Sequence, residues 1–298
     1  MSNQSLRAKT GLRRAELWRY AFVLPALVVY AIFVLWPLVQ TVRISFYEWN
    51  GITLATPVGA QNYVDALTDP AIRSALLHSI VFVFFYSVLP TAVGLLFAGI
   101  MSRIRIFGLT FFRAVLFMPQ VLSAVVVAVA WRWMYADQGP VNEALRAVGA
   151  DSITWLGSFT FALPAVGLIG TWVMFGLCMV LFIAGVQKIP GELYEAARLD
   201  GAGPIREFFT VTLPGLRGEV MVALVFTLTI ALRNFDIVWN TTRGGPGEST
   251  TVPSVYIYEG AFISRDMGHA AAISVLLTIL ILTVTVAIIF LFRDKEPA

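Results

Sequence analysis

Charge is what this chain has least of. Of its 298 residues only 13% are Asp, Glu, Lys or Arg, against 58% hydrophobic, and the mean hydropathy is +0.79. A water-soluble domain carries roughly 25% charged residues. The shortfall excludes a disordered chain, a coiled coil and an ordinary soluble enzyme of this length, because too little charge is present to cover the surface. The surplus apolar surface calls for a bilayer as solvent. Lysine occurs only at Lys9, Lys188 and Lys295, and the net charge of +3 is spread along the chain, so there is no basic patch for nucleic acid. The single cysteine, Cys178, lies inside an apolar run, which excludes an intrachain disulfide framework and a thiolate zinc site. The only histidines, His78 and His269, read as packing or interfacial residues rather than metal ligands. There is no Gly-x-x-x-x-Gly-Lys-Ser/Thr phosphate loop, no Gly-x-Ser-x-Gly elbow and no His-Glu-x-x-His pair. No P-loop ATPase and no clustered catalytic set is encoded here.

What the chain does have is long apolar runs. A spanning helix needs about 20 mostly apolar residues, and six candidates fit: Tyr20 to Val42, Ser79 to Ser102, Ala114 to Trp131, Phe161 to Gln187, Val220 to Asn240 and Ala270 to Phe292. The first is too long for a signal-peptide core and lacks a small-residue cleavage site after it. With a cytoplasmic N-terminus, 14 of the 21 basic residues fall on the cytoplasmic side: Arg7, Lys9, Arg13, Arg14, Arg19, Arg103, Arg105, Arg113, Lys188, Arg198, Arg206, Arg217, Arg293 and Lys295. Arg43, Arg73, Arg146, Arg243 and Arg265 fall outside. That bias places both termini in the cytoplasm. The expected fold is all-α and integral to the membrane. It has a cytoplasmic segment over 1–19, a six-span domain over 20–292 with an inner loop over 188–214, and a cytoplasmic tail over 293–298. Ser5 to Arg19 reads either as a basic helix on the cytoplasmic surface or as a positive tail that only sets topology.

The inner loop departs from a simple connector. Pro190 and Glu192 suit a helix start, Leu193, Ala196 and Ala197 share one face, and Gly201 and Gly203 stop the helix. Pro204 opens a second segment with Ile205, Phe208 and Phe209 on its apolar face, ended by Leu213 and Pro214. Small residues with Glu195, Arg198 and Asp200 around them suit the close approach of a partner. An amphipathic hairpin resting on headgroups is the alternative. Glu195, Ala196, Ala197 and Gly201, followed by Leu213 and Pro214, resemble the EAA motif of binding-protein-dependent ABC importer permeases. Ile189, Pro190, Leu193, Tyr194, Asp200 and Phe208 resemble its carbohydrate branch, the MalF- and UgpA-like group. Thr242 to Pro246 with Thr250 or Thr251, Tyr256 to Tyr258, Ala261 and Phe262 is similar to that branch's outer loop. Leu199 and Val211 replace common isoleucines, Arg233 beside Asn234 is unusual, and the large outer insertion of some members is absent.

The resemblance implies a type I importer permease with a six-helix core. It implies that Glu195, Ala196, Ala197, Asp200 and Gly201 dock onto a cytoplasmic ATPase, which binds the ATP and Mg, so that no cofactor belongs to this chain. It implies two ATPase copies, a second and paralogous permease subunit, an extracytoplasmic solute-binding protein and a lipid environment. The cargo is a sugar or sugar derivative, with glycerol-phosphate also conceivable. By position, Gln120, Ser123, Thr171, Trp172 and Asn234 are the pathway candidates, offering hydrogen bonds to hydroxyls and an aromatic face to C–H groups. Arg233 and Asp236, three residues apart, read as an intrahelical ion pair or as cargo contacts. Trp131, Trp133, Tyr135, Trp155 and Trp239 read as an interfacial aromatic belt. An ion-coupled secondary transporter is the alternative class, and only Asp236 offers it an intramembrane carboxylate.

Overall fold

The computed structural model describes residues 22–101 and 108–292. The segment Ser5 to Arg19 and the tail 293–298 lie outside the described residues. Among the described residues four helices are long and apolar enough to cross a membrane: α1 (Phe22–Ile44), α3 (Pro70–Ile100), α7 (Ala162–Val186) and α13 (Met267–Phe292). Two bent pairs complete a set of up to six spans. They are α4 (Leu109–Val121) with α5 (Ala124–Met134), bent by 100°, and α9 (Pro204–Gly215) with α10 (Arg217–Leu232), bent by 70°. Four short helices, α2 (Gln61–Thr68), α6 (Pro140–Ala147), α11 (Asp236–Thr241) and α12 (Pro253–Tyr258), gather with the loops at one end of the bundle. A hairpin of α8 (Gly191–Leu199) and α9 marks the other end.

Helix α7 is the hub. It packs against α3, α4, α5, α10 and α11, and more than half of its most apolar stretch is buried. Glycine makes these approaches possible: a Cβ at Gly176 would collide with the Leu116 carbonyl of α4. Helix α1, by contrast, leans on α13 and leaves its apolar surface open along its whole length.

Prolines shape the spans in three ways. Pro164 falls in the first turn of α7, where its missing N–H leaves nothing unpaired. Pro119 lies near the end of α4, and the chain then runs extended through Leu122 and Ser123 before α5 begins. The expected continuous span from Ala114 to Trp131 is therefore a broken one. Three further prolines, Pro37, Pro90 and Pro214, each follow a π turn by two residues, the turns covering Ala31–Leu35, Phe84–Val88 and Phe208–Thr212. A proline ring in a regular helix strikes the carbonyl four residues back. Widening the preceding turn removes that clash, at the expense of one displaced hydrogen bond. In α3 the Leu89 amide bonds to the Phe84 carbonyl instead of that of Phe85. The freed Phe85 carbonyl accepts the Thr171 hydroxyl from α7 at 2.6 Å.

Side-chain hydrogen bonds tie the loop end. Asn142 is completely buried and uses its whole amide: Nδ2 donates to the Ala136 and Ile153 carbonyls, and Oδ1 accepts from the Ile153 amide and Trp155 Nε1. His78 lies within α3 and bonds to the Thr251 carbonyl at 2.9 Å, a packing role. The strands β1 (Tyr47–Glu48) and β2 (Thr56–Pro57) pair antiparallel, Tyr47 opposite Pro57, and Asn62 Nδ2 donates to the Ser45 and Tyr47 carbonyls. At Thr242 to Thr251 the loop folds on its own hydroxyls, Thr250 bonding to Thr242 and the Gly245 carbonyl, and Thr251 to that of Gly244.

Candidate functional site

Helix α10 stops at Leu232, Arg233 to Phe235 leave helical geometry, and α11 restarts at Asp236. This break faces the break between α4 and α5. Irregular backbone at membrane depth is tolerated where it is buried in protein or lines a cavity, and both breaks line the same cavity of about 330 Å³. Its walls are Tyr86 of α3, Gln120 and Leu122 beside the first break, Ala124 and Val127 of α5, and Val173 and Met174 of α7. Ile230, Arg233, Asn234, Phe235, Asp236 and Ile237 complete it from the second break.

Three buried polar atoms on these walls have no hydrogen-bond partner: the Tyr86 hydroxyl, Gln120 Oε1 and Asn234 Nδ2. The Asn234 side chain lies within hydrogen-bonding reach of the Tyr86 hydroxyl, but the geometry between them is not that of a well-formed bond. Asn142, equally buried, satisfies every one of its donors and acceptors, whereas Trp131 Nε1 and Ser249 Oγ, away from the cavity, are also left without a bond; the three at the cavity differ in lining one void. An unsatisfied buried polar group costs about 1–3 kcal/mol. Around one void, the three present a hydroxyl, an acceptor and a donor.

Of the five pathway candidates read from the sequence, Gln120 and Asn234 reach this cavity. Ser123 is exposed at the head of α5, where its side chain makes no capping bond. Thr171 is engaged with the Phe85 carbonyl. Trp172 packs edge-on against Trp131 at 5.6 Å and is 40% exposed. Neither of these two is among the lining residues. Tyr86 was missed: it sits in an aromatic run, Phe84 to Tyr86, where one hydroxyl is easily overlooked. Of the two readings of Arg233 and Asp236, the ion pair is set aside, since none links them. The helix ends between the two residues and the three-residue spacing no longer puts them on one face. Both side chains are exposed, and both line the cavity. The aromatic belt narrows to Trp133, 66% exposed. Tyr135 is buried and donates to the Ala165 carbonyl, while Trp155 stacks on Tyr135 and Trp239 on Phe235. Among the described residues no group of three or more His, Cys, Asp or Glu could hold a metal.

At the other end of the bundle, α8 closes in a Schellman motif. The Ala202 amide bonds to the Ala197 carbonyl and the Gly201 amide to that of Arg198, with Gly201 at φ +75. Pro190 stands at the N-cap rather than inside the first turn. Arg198 Nε donates to Glu207 Oε2 at 3.2 Å, and that carboxylate is buried at the α8–α9 junction. A second link joins the Tyr194 hydroxyl to Thr212 Oγ1. The pair is thereby braced into one unit. Its outward face remains bare: Glu195, Ala196, Asp200 and Gly201 are exposed, Ala197 is half-buried, and Leu199 is 90% and Ile205 76% exposed. A Cβ on Gly201 would meet nothing within 4 Å.

The family described as "Binding-protein-dependent transport system inner membrane component" matches residues 91–295. The probable ABC transporter permease protein YurN of Bacillus subtilis is 36% identical over 283 residues, covering 93% of this chain and 96% of that protein. The trehalose/maltose transport system permease protein MalF of Thermococcus litoralis is 32% identical, covering 99% of both chains. The sulfoquinovosyl glycerol transport system permease protein SmoG of Agrobacterium fabrum is 31% identical, covering 91% of this chain and 89% of that one. In shape, the chain matches one in the crystal structure of a bacterial ABC transporter that imports the acidic polysaccharide alginate. The TM-score is 0.82 at 20% identity, over 98% of this chain and all of the other. These relatives are permeases and not enzymes. Two broken spans around a polar cavity, a braced hairpin at one end and the family match over residues 91–295 lead to one conclusion: this chain belongs to the inner-membrane components of binding-protein-dependent ABC transport systems.

Proposed function

We propose that this permease lines the route of a sugar or sugar derivative into the cell, and that the cavity walled by Tyr86, Gln120 and Asn234 holds the cargo during passage. The observation that carries the reading is the set of three unpaired polar atoms around one void. A polyhydroxylated solute supplies donors and acceptors to all three and turns their desolvation cost into affinity. The named cargoes of two relatives, trehalose or maltose and sulfoquinovosyl glycerol, have this chemistry.

The braced hairpin is the coupling element. Its bare face at Glu195, Ala196, Ala197, Asp200 and Gly201 fits a groove on a cytoplasmic ATPase, present in two copies, which binds ATP and Mg. Both termini then lie in the cytoplasm, as the charge bias demands. An extracytoplasmic binding protein delivers the cargo at the loop end, and a paralogous permease subunit completes the pathway. The open apolar surface of α1 is available to that subunit or to lipid.

Reconstitution with the partner subunits and the binding protein in proteoliposomes tests the reading. Asn234→Ala and Gln120→Ala should each lower uptake per ATP hydrolysed while ATP hydrolysis stimulated by the loaded binding protein persists. Unchanged uptake in both variants would overturn the assignment of the cavity.

A further inference from the structure

A row of aromatic rings leaves the cavity toward the loop end. Phe235, on the cavity wall, lies 5.1 Å from Tyr258, and Tyr258 lies 5.4 Å from Phe262, centroid to centroid. Trp239 backs the row. It stacks on Phe235 at 5.6 Å with only 17° between the planes and touches Tyr258 at 4.9 Å. The Arg243 guanidinium sits 5.8 Å over the Trp239 ring. Phe262 is 73% exposed, and Phe235 and Tyr258 are half-buried. Polar groups edge the row: the Asn240 amide, which donates to the Asp236 backbone carbonyl, and the Arg243 guanidinium.

An interfacial belt residue turns its ring toward lipid, singly. These rings pack on one another, and the innermost faces the void where the orphaned amide and hydroxyl lie. Aromatic faces carry negative charge density, which attracts the polarised C–H bonds on the flat side of a sugar ring. Rings edged by an amide and a guanidinium are the chemistry by which proteins hold saccharides: stacking below, hydrogen bonds at the rim.

We propose that Phe235, Tyr258 and Phe262 form a saccharide-stacking track that receives the cargo from the loop end and passes it to the polar cavity. The proposal rests on the saccharide reading above. Phe262 is the entry step and Tyr258 the middle one. Trp239 and Arg243 hold the track in line and are positioning residues.

The test uses the complete transporter in proteoliposomes, with its binding protein loaded with radiolabelled maltose, trehalose or diacetylchitobiose, whichever it retains. Uptake and ATP hydrolysis are read together. Tyr258→Leu should lower uptake per ATP about tenfold, the scale of one aromatic contact, and Tyr258→Phe should restore it, because the ring and not the hydroxyl is required. Phe262→Leu, at an exposed site where folding is not at stake, should give a smaller loss, reversed in Phe262→Tyr. Wild-type uptake per ATP in both leucine variants would overturn the track. So would a loss of uptake and ATP hydrolysis together in Tyr258→Leu that Tyr258→Phe fails to repair, the signature of packing alone. Should Asn234→Ala lower coupling while the leucine variants do not, the track falls and the cavity stands. A binding protein that retains no sugar or sugar derivative removes both.

Discussion

Tyr86→Phe removes one oxygen and little else. The ring is 2% exposed, packs edge-on against Phe82 at 5.8 Å, and would stay where the Phe84–Val88 turn puts it. In most buried tyrosines the hydroxyl is paired, and its loss destabilises by about 0.5–1.5 kcal/mol. Here Asn234 lies within reach but makes no well-formed bond with it, so the sign reverses. The variant escapes a desolvation cost of about 1–3 kcal/mol, less whatever cavity water returns. The expected outcome is a purified transporter whose melting temperature is equal to or about 2 °C above that of the wild type, while uptake per ATP falls severalfold. A stability gain joined to a transport loss marks a group kept for the cargo. A drop in melting temperature with transport intact would refute the reasoning, because it would show the hydroxyl already paired at rest.

Other outcomes follow from the same structure. Gly201→Asp should keep the fold, since a side chain there meets open space and the backbone strain at φ +75 is only about 1–2 kcal/mol. It should nevertheless break the link between ATP hydrolysis and uptake; full coupling would remove the hairpin from the docking role. Gly176→Leu drives a side chain into the Leu116 carbonyl, and should abolish recovery of monodisperse protein on size-exclusion chromatography. Lys188→Ala breaks a 3.0 Å ion pair with Glu219, but Lys188 is 73% exposed. The effect on thermal stability should stay within about 1 kcal/mol, and a larger loss would mean that the pair is shielded from solvent.

Six hydrophobic runs were legible because the bilayer permits few alternatives. Helix α7 begins and ends within one residue of the run from Phe161 to Gln187. The polar cavity was half legible: Gln120 and Asn234 stand out as amides in apolar surroundings. Ser123 and Thr171 looked equivalent to them, but short hydroxyl side chains are readily engaged by nearby backbone, and Thr171 is committed to the carbonyl that a π turn freed. The break at Leu122–Ser123 carried a local signal in Pro119 that a membrane bundle can also accept within a span, whereas the one at Arg233–Phe235 carries no such signal. Helix α3 starts at Pro70, nine residues before its apolar run, where Asp69 accepts the Ala71 amide and Arg73 and His78 face the polar loop layer. Hydropathy registers the solvent boundary and passes over such an extension.

The widened turn in α3 has a mechanical consequence. It holds Tyr86, and its spare carbonyl is clasped by a hydroxyl on the neighbouring rod. A joint of this kind can flex by exchanging one acceptor for another, without stripping the backbone bare in oil. Because the joint and the cargo-facing phenol are the same few residues, any tilt of the lower half of that rod is geared directly to the shape of the chamber.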